Sequence, residues 1–186
     1  MKANAETKKT DAASGSGPDL DIAIEIAASD WTDALDDAEA IAERALSAAF
    51  AVGYAAVGGG DAAEVEVSLV LTDDDSVAAL NRDYRSKDGP TNVLSFPQED
   101  DFDAPSALPG MPVMLGDVVI AYGVTAREAR DQGIPLADHL THLCVHGMLH
   151  LLGFDHIEAD EADRMEGLET EILGDLGVPD PYGKER

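Results

Sequence analysis

The chain carries one cysteine in 186 residues, so no intramolecular disulfide can brace it, and a reducing cytoplasm is its expected setting. Aromatic residues are scarce at 5%, and of these Trp31 and Phe50 join Leu35, Ile41 and Leu46 as candidate core contacts. Cations are scarce as well. Against 38 Asp and Glu stand 12 Lys and Arg, a formal charge of −26; such a field opposes long-range approach of a polyanion until salt screens it, beyond about 10 Å. No apolar run reaches the roughly 20 residues that cross a bilayer, and Met1 to Pro18 contains no hydrophobic segment of a secretory signal. The expectation is a soluble, cytoplasmic protein without a membrane partner.

What the chain does contain is material for one core. Residues 1–18, rich in Ala, Lys, Thr, Ser and Gly, lack periodicity and predict a disordered tail. The domain is expected over 19–175, with 176–186 as a short C-terminal tail. Alternation predicts strands at Leu20 to Ala27, Val65 to Leu71, Asn92 to Phe96 and Met114 to Tyr122. Asp30 is expected to cap one long alanine-rich helix reaching about Ala51, and Thr72 or Asp73 to start a short one through Asn81. Residues 98–112, acidic and rich in proline, predict a mobile loop. Three further helices fall at roughly 123–131, 136–152 and 158–173. This order predicts an α+β fold, a small mixed β-sheet packed with helices.

The most informative stretch is His146-Gly-Met-Leu-His150-Leu-Leu-Gly153-Phe-Asp-His156. Residues four apart share a helix face, so His146 and His150 can aim at one ion. Gly153 can adopt a left-handed conformation and end the helix, returning His156 toward the pair. Three imidazoles suit one Zn²⁺ per chain and leave a fourth position for water. His139 and His142 fall on the same stripe. They stay open as supporting groups, substrate-facing groups or, by default, ordinary helix-surface residues. Cys144 reads as a small buried hydrophobe.

Zinc peptidases of the His-Glu-x-x-His type draw their general base from the glutamate, but position 147 here is glycine. Hydrolysis remains open, because zinc lowers the pKa of water to near 7. Charge stabilisation must come from elsewhere. Arg85, flanked by Arg82 and Lys87 in the densest basic group of the domain, has a guanidinium fork suited to phosphate. Arg82, Arg85 and Lys87 are therefore candidate substrate-binding residues, and Arg85 a candidate catalytic one. Asp155 and Asp117 are candidates for orienting an imidazole or accepting a proton. The acidic run 158–171 is expected to face away from substrate.

The residues His146 to His156, together with Asn81-Arg-Asp-Tyr-Arg85-Ser-Lys-Asp88-Gly-Pro90-Thr-Asn-Val-Leu-Ser-Phe-Pro97 and Leu115-Gly-Asp117-Val-Val-Ile120, resemble the YbeY family of bacterial endoribonucleases. The likeness spans roughly Leu20 to Gly174. It implies an α+β fold with a zincin-like helix carrying two of three metal-binding histidines, which fall on His146, His150 and His156, and a functional arginine that falls on Arg85. The implied activity is zinc-dependent, single-strand-specific RNA cleavage in maturation of the 16S rRNA 3′ end and in ribosome quality control. Implied partners are ribosomal RNA and the small ribosomal subunit, a small-subunit ribosomal protein and a ribosome-associated GTPase. Asn92 stands where many members have aspartate, and the acidity favours recruitment through protein over strong independent RNA affinity. A ribosome assembly factor with a structural metal, or a metallopeptidase, is the alternative reading.

Overall fold

A computed structural model describes residues 18–59, 64–98 and 112–183. All but the last residue of the tail expected over 1–18, and most of the acidic loop, lie outside the described residues. Four strands form one mixed sheet in the order β1-β2-β4-β3: β1 (Asp19–Ile26), β2 (Glu64–Thr72), β3 (Val93–Pro97) and β4 (Val113–Ala121). The pairs β1·β2 and β2·β4 are parallel, and β3 closes one edge antiparallel to β4. Helices α1 (Asp30–Ala34), α2 (Ala38–Ala56), α3 (Asp74–Arg85), α4 (Tyr122–Gln132), α5 (Leu136–Leu151) and α6 (Ala159–Asp175) complete the fold. The expected mixed α+β architecture is present. Among the described residues, no helix is long and apolar enough to cross a membrane.

The single long helix expected from Asp30 is instead two. Ser29, not Asp30, occupies the N-cap of α1, and Leu35 is extended at φ −138°, ψ 102°. Trp31 explains the break: it is fully buried, and its indole N–H donates to the Thr72 carbonyl at 3.2 Å. That anchor fixes α1 to the end of β2, while α2 must turn to lay Ile41, Ala45, Leu46 and Ala49 in the core. Asp36 and Asp37, which compete with helical hydrogen bonds, occupy the corner.

Alternation along the strands divides the sheet into two faces. Val65, Val67, Leu69, Val118 and Ile120 share the large core with α2, α5 and α6, whereas Val119 and Ala121 pack with Val77 of α3 and Leu94. One register shift interrupts the pattern. Opposite Glu66 and Val67, β4 places Met114 and Gly116, so Leu115 is an extra residue, and Leu115 and Val118 reach the same core. Gly116 sits at φ +128°, and a Cβ there would lie 2.1 Å from the Phe96 carbonyl. Only glycine fits.

Helix α5 approaches the sheet through a second glycine. A Cβ on Gly147 would meet Val118 Cγ1 at 2.7 Å, and Ser95 Oγ donates to the Gly147 carbonyl at 3.3 Å. The helix is thereby seated against β4 and β3.

Candidate metal centre

The last turn of α5 builds the site by backbone geometry. Gly153, at φ +86°, follows the C-cap Leu152. Its N–H donates to the His150 carbonyl at 3.1 Å, and the Phe154 N–H donates to the Leu149 carbonyl at 3.0 Å. These are the paired bonds of a Schellman ending. The chain reverses there, Phe154 drops into the core, and Asp155 Oδ1 accepts the His156 N–H at 2.7 Å. Asp155 thus fixes the backbone that carries the third imidazole.

The ligand nitrogens of His146, His150 and His156 all lie within 4.8 Å of one another. His146 Nε2 and His150 Nε2 are 3.0 Å apart. His156 is exposed, and the other two are half-buried.

Hydrogen bonds at the far nitrogens decide which atoms face the centre. A carbonyl only accepts, so His150 Nδ1 must donate to the Phe154 carbonyl at 3.0 Å, leaving the Nε2 lone pair inward. Burial, with His146 and His156 nearby, lowers the pKa of His150 to about 4. Its imidazole is neutral at pH 7. His146 Nδ1 lies 2.6 Å from Glu169 Oε1. Burial raises the Glu169 pKa, but the approach of His142 and the bond from His146 outweigh it and bring the value down to about 2. As a carboxylate it only accepts, so Nδ1 of His146 donates and Nε2 is the nitrogen left to face the centre.

At 3.0 Å the two Nε2 atoms need a cation between them, either a proton shared as an N–H···N bond or a metal ion that both lone pairs ligate. A tetrahedral ion with Zn–N bonds of about 2.05 Å would separate its ligand nitrogens by roughly 3.3 Å. The donor set and spacing therefore fit a metal ion, and the outer bonds to Glu169 and Phe154 supply the ligand orientation that metal-bound histidines require.

Glu169 was not expected here. It belongs to the acidic run 158–171 expected to face away from substrate, yet it is buried beside His146. On α6 it falls among Met165, Ile172 and Leu173, all buried; a glutamate on that apolar stripe was the available signal. Tyr182, within the expected C-terminal tail, returns to donate its hydroxyl to Glu169 Oε2. Its own pKa is raised by burial and by that carboxylate.

The helix-surface default for the upstream histidines is also corrected. His139 is buried and bonds through Nε2 to Glu128 Oε2 at 2.9 Å. Burial lowers its pKa against the opposing pull of Glu128. His142 Nε2 lies 3.8 Å from Glu169 Oε2, too far for a hydrogen bond. Together with His146 and Glu169 it forms a second ligand group, but the short His146–Glu169 bond occupies the space between their atoms. A cavity of about 290 Å³ borders His139, His142 and His146.

Among the described residues, Arg82, Arg85, Lys87 and Asp117 make no hydrogen bond or ion pair with the imidazoles. Arg85 ends α3 and is exposed; among the described residues its side chain has no ion pair or hydrogen bond. Arg82 pairs with Asp83 at 3.5 Å in solvent, an interaction worth little. Lys87 is exposed in the loop toward β3. Asp117 is exposed and shares the parity of Val119 and Ala121, the sheet face turned to α3. The sheet separates it from α5. Cys144 is buried, and burial raises its thiol pKa.

A family model described as Endoribonuclease YbeY matches residues 25–177. Endoribonuclease YbeY of Paramagnetospirillum magneticum is 52% identical over 166 residues, covering 89% of this chain and 98% of the relative. The proteins of that name from Rhizorhabdus wittichii and Rhodospirillum rubrum are each 50% identical; the matches cover 88% and 89% of this chain and 96% and 82% of theirs. With the family model spanning most of the domain and half the residues shared with full-length relatives, the chain belongs to the YbeY family.

Proposed function

We propose that the protein is a zinc-dependent, single-strand-specific endoribonuclease that matures the 16S rRNA 3′ end and serves ribosome quality control. The observation that carries this reading is the convergence of His146, His150 and His156, with two inward Nε2 atoms fixed by Glu169 and Phe154, in a chain of the YbeY family. α5 then plays the part of a zincin-like helix without the zincin glutamate. When bound, the ion supplies Lewis acidity and water of lowered pKa.

The chain's own residues do the rest. Glu169 holds His146 in the ligating tautomer, Phe154 does so for His150, and Asp155 holds the backbone of His156. Arg85, unpaired among the described residues, is suited to grip a phosphate through its planar fork. Arg82 and Lys87 extend that grip to neighbouring phosphates. The surface charge of −26 weakens unaided RNA binding, which supports recruitment to the small subunit in the cytoplasm through a ribosomal protein and a ribosome-associated GTPase.

The test uses chelator-treated protein reloaded with zinc and a single-stranded RNA. Cleavage should require the metal, disappear in His150→Ala, and fall by about 10²- to 10³-fold in Arg85→Ala with metal content unchanged. Cleavage that survives metal removal would overturn the proposal. A metal-dependent fold with no turnover on authentic precursor RNA would favour an assembly factor instead.

A further inference from the structure

The cavity beside His146 is walled by Asn92, Glu128, Gln132, His139, His142 and Tyr182. At about 290 Å³ it stands at the small end of ligand pockets. Its polar wall is held in place. The Val93 N–H donates to Asn92 Oδ1 at 2.7 Å, which fixes the amide orientation and turns Nδ2 to Glu128 Oε2 at 3.0 Å. His139 Nε2 meets the same oxygen at 2.9 Å. Two donors on Oε2 leave Oε1 with no partner among the described residues.

A carboxylate in the wall repels phosphate and accepts N–H or O–H. The basic residues Arg82, Arg85 and Lys87 lie elsewhere, on α3 and the loop after it. Phosphate and nucleoside therefore have separate places. Resting on the nuclease reading above, we propose that this cavity receives the neutral nucleoside next to the scissile phosphate, and that Glu128 Oε1 accepts a hydrogen bond from its exocyclic amine or ribose 2′-hydroxyl. Asn92 is part of the device, since an aspartate there would set carboxylate against carboxylate.

The substitution Glu128→Gln tests the role of one atom. Oε2 must remain an oxygen to serve Asn92 and His139, so the amide nitrogen takes the Oε1 position and an acceptor becomes a donor. Zinc-loaded wild-type protein and the variant are titrated by NMR with CMP, UMP and 2′-deoxy-CMP. If the base amine is the donor, wild type should bind CMP about tenfold more tightly than UMP, and the variant should reverse that order because uracil offers O4 as an acceptor. If the ribose hydroxyl is the donor, 2′-deoxy-CMP should be the weak ligand and the variant should lose the difference. Equal affinity of all three for wild type overturns the proposal, as does a preference that persists in the variant. The wild-type comparison stands even if the variant misfolds. Binding is read without turnover, so failure of the nuclease reading would show separately, as nucleotide discrimination without RNA cleavage.

Discussion

Replacing Glu169 by glutamine keeps the shape of the side chain and removes its charge. The carboxylate accepts from His146 Nδ1 at 2.6 Å on one oxygen and from the Tyr182 hydroxyl on the other, with no exposed surface. An amide can satisfy both neighbours only by keeping its oxygen toward His146 and letting the tyrosine hydroxyl rotate to accept. Turned the other way, it donates to Nδ1 and drives the proton to Nε2, which can then no longer ligate. Loss of such outer support lowers metal affinity by about 10- to 100-fold, or roughly 1.4–2.8 kcal/mol. At fixed free zinc the same amount leaves the stability of the loaded protein, a melting-point drop of about 3–10 °C for a domain of this size. Competition against a chelator of known affinity gives the binding change, and a melt of the metal-free protein separates it from direct damage to the fold. Glu169→Ala should be worse when metal-free, because two buried donors lose their acceptor at about 1–3 kcal/mol each. Zinc affinity within twofold of wild type in a folded Glu169→Gln protein would refute the tautomer argument.

Three further outcomes follow from backbone geometry and capping. Gly153→Ala forces a side chain into φ +86° and should cost about 1–2 kcal/mol, read as a lower urea midpoint with unchanged slope. Ser86→Gly should stabilise by about 0.5 kcal/mol, since serine there holds φ 54° and the relief of strain exceeds the extra chain entropy; an unchanged or lower midpoint would count against it. Asp73 caps α3 by accepting the Ser76 N–H at 2.8 Å, and that bond holds its carboxyl below its ordinary value of 3.8. The folded value is the lower one, so the stabilisation is complete above pH 3.8 and fades as pH falls through the folded value. Asp73→Ala should therefore cost about 1 kcal/mol at pH 7 and progressively less in acid, measured by denaturant melts across pH.

Local signals reach the ligands and most of the elements but not their supports. His146, His150 and Gly153 announce themselves because one helical turn and one chain reversal are short-range events, and the Schellman bonds realise that reversal. The strands declare themselves by alternation for the same reason. Glu169 lies 23 residues from the histidine it holds, and the acidity around it hides that it shares a stripe with Met165 and Ile172. The break at Leu35 depends on where Trp31 finds the Thr72 carbonyl, a partner 41 residues away. His139 reads as surface until Glu128 and Asn92 are brought to it from α4 and the start of β3. In each case the deciding partner is distant in sequence.

The missing glutamate at position 147 is explained by packing. Its Cβ would meet Val118 Cγ1 at 2.7 Å, so this position points into the sheet while His146 and His150 face the open side. Gly147→Glu would recreate the peptidase spelling without its geometry, placing a carboxylate against a buried valine. Overpacking of about 1–3 kcal/mol and the burial of an unpaired charge both oppose folding, and the gain of up to about 1 kcal/mol from removing a helical glycine cannot offset them. Nor can Glu169 stand in as the general base. Both its oxygens are engaged, and with a pKa near 2 it holds protons poorly at neutral pH. The carboxylate at this centre orients His146. Gly147→Glu should accordingly give a destabilised protein with no peptidase activity on unfolded casein; a stable variant that cleaves casein in a zinc-dependent way would show that position 147 reaches the metal after all.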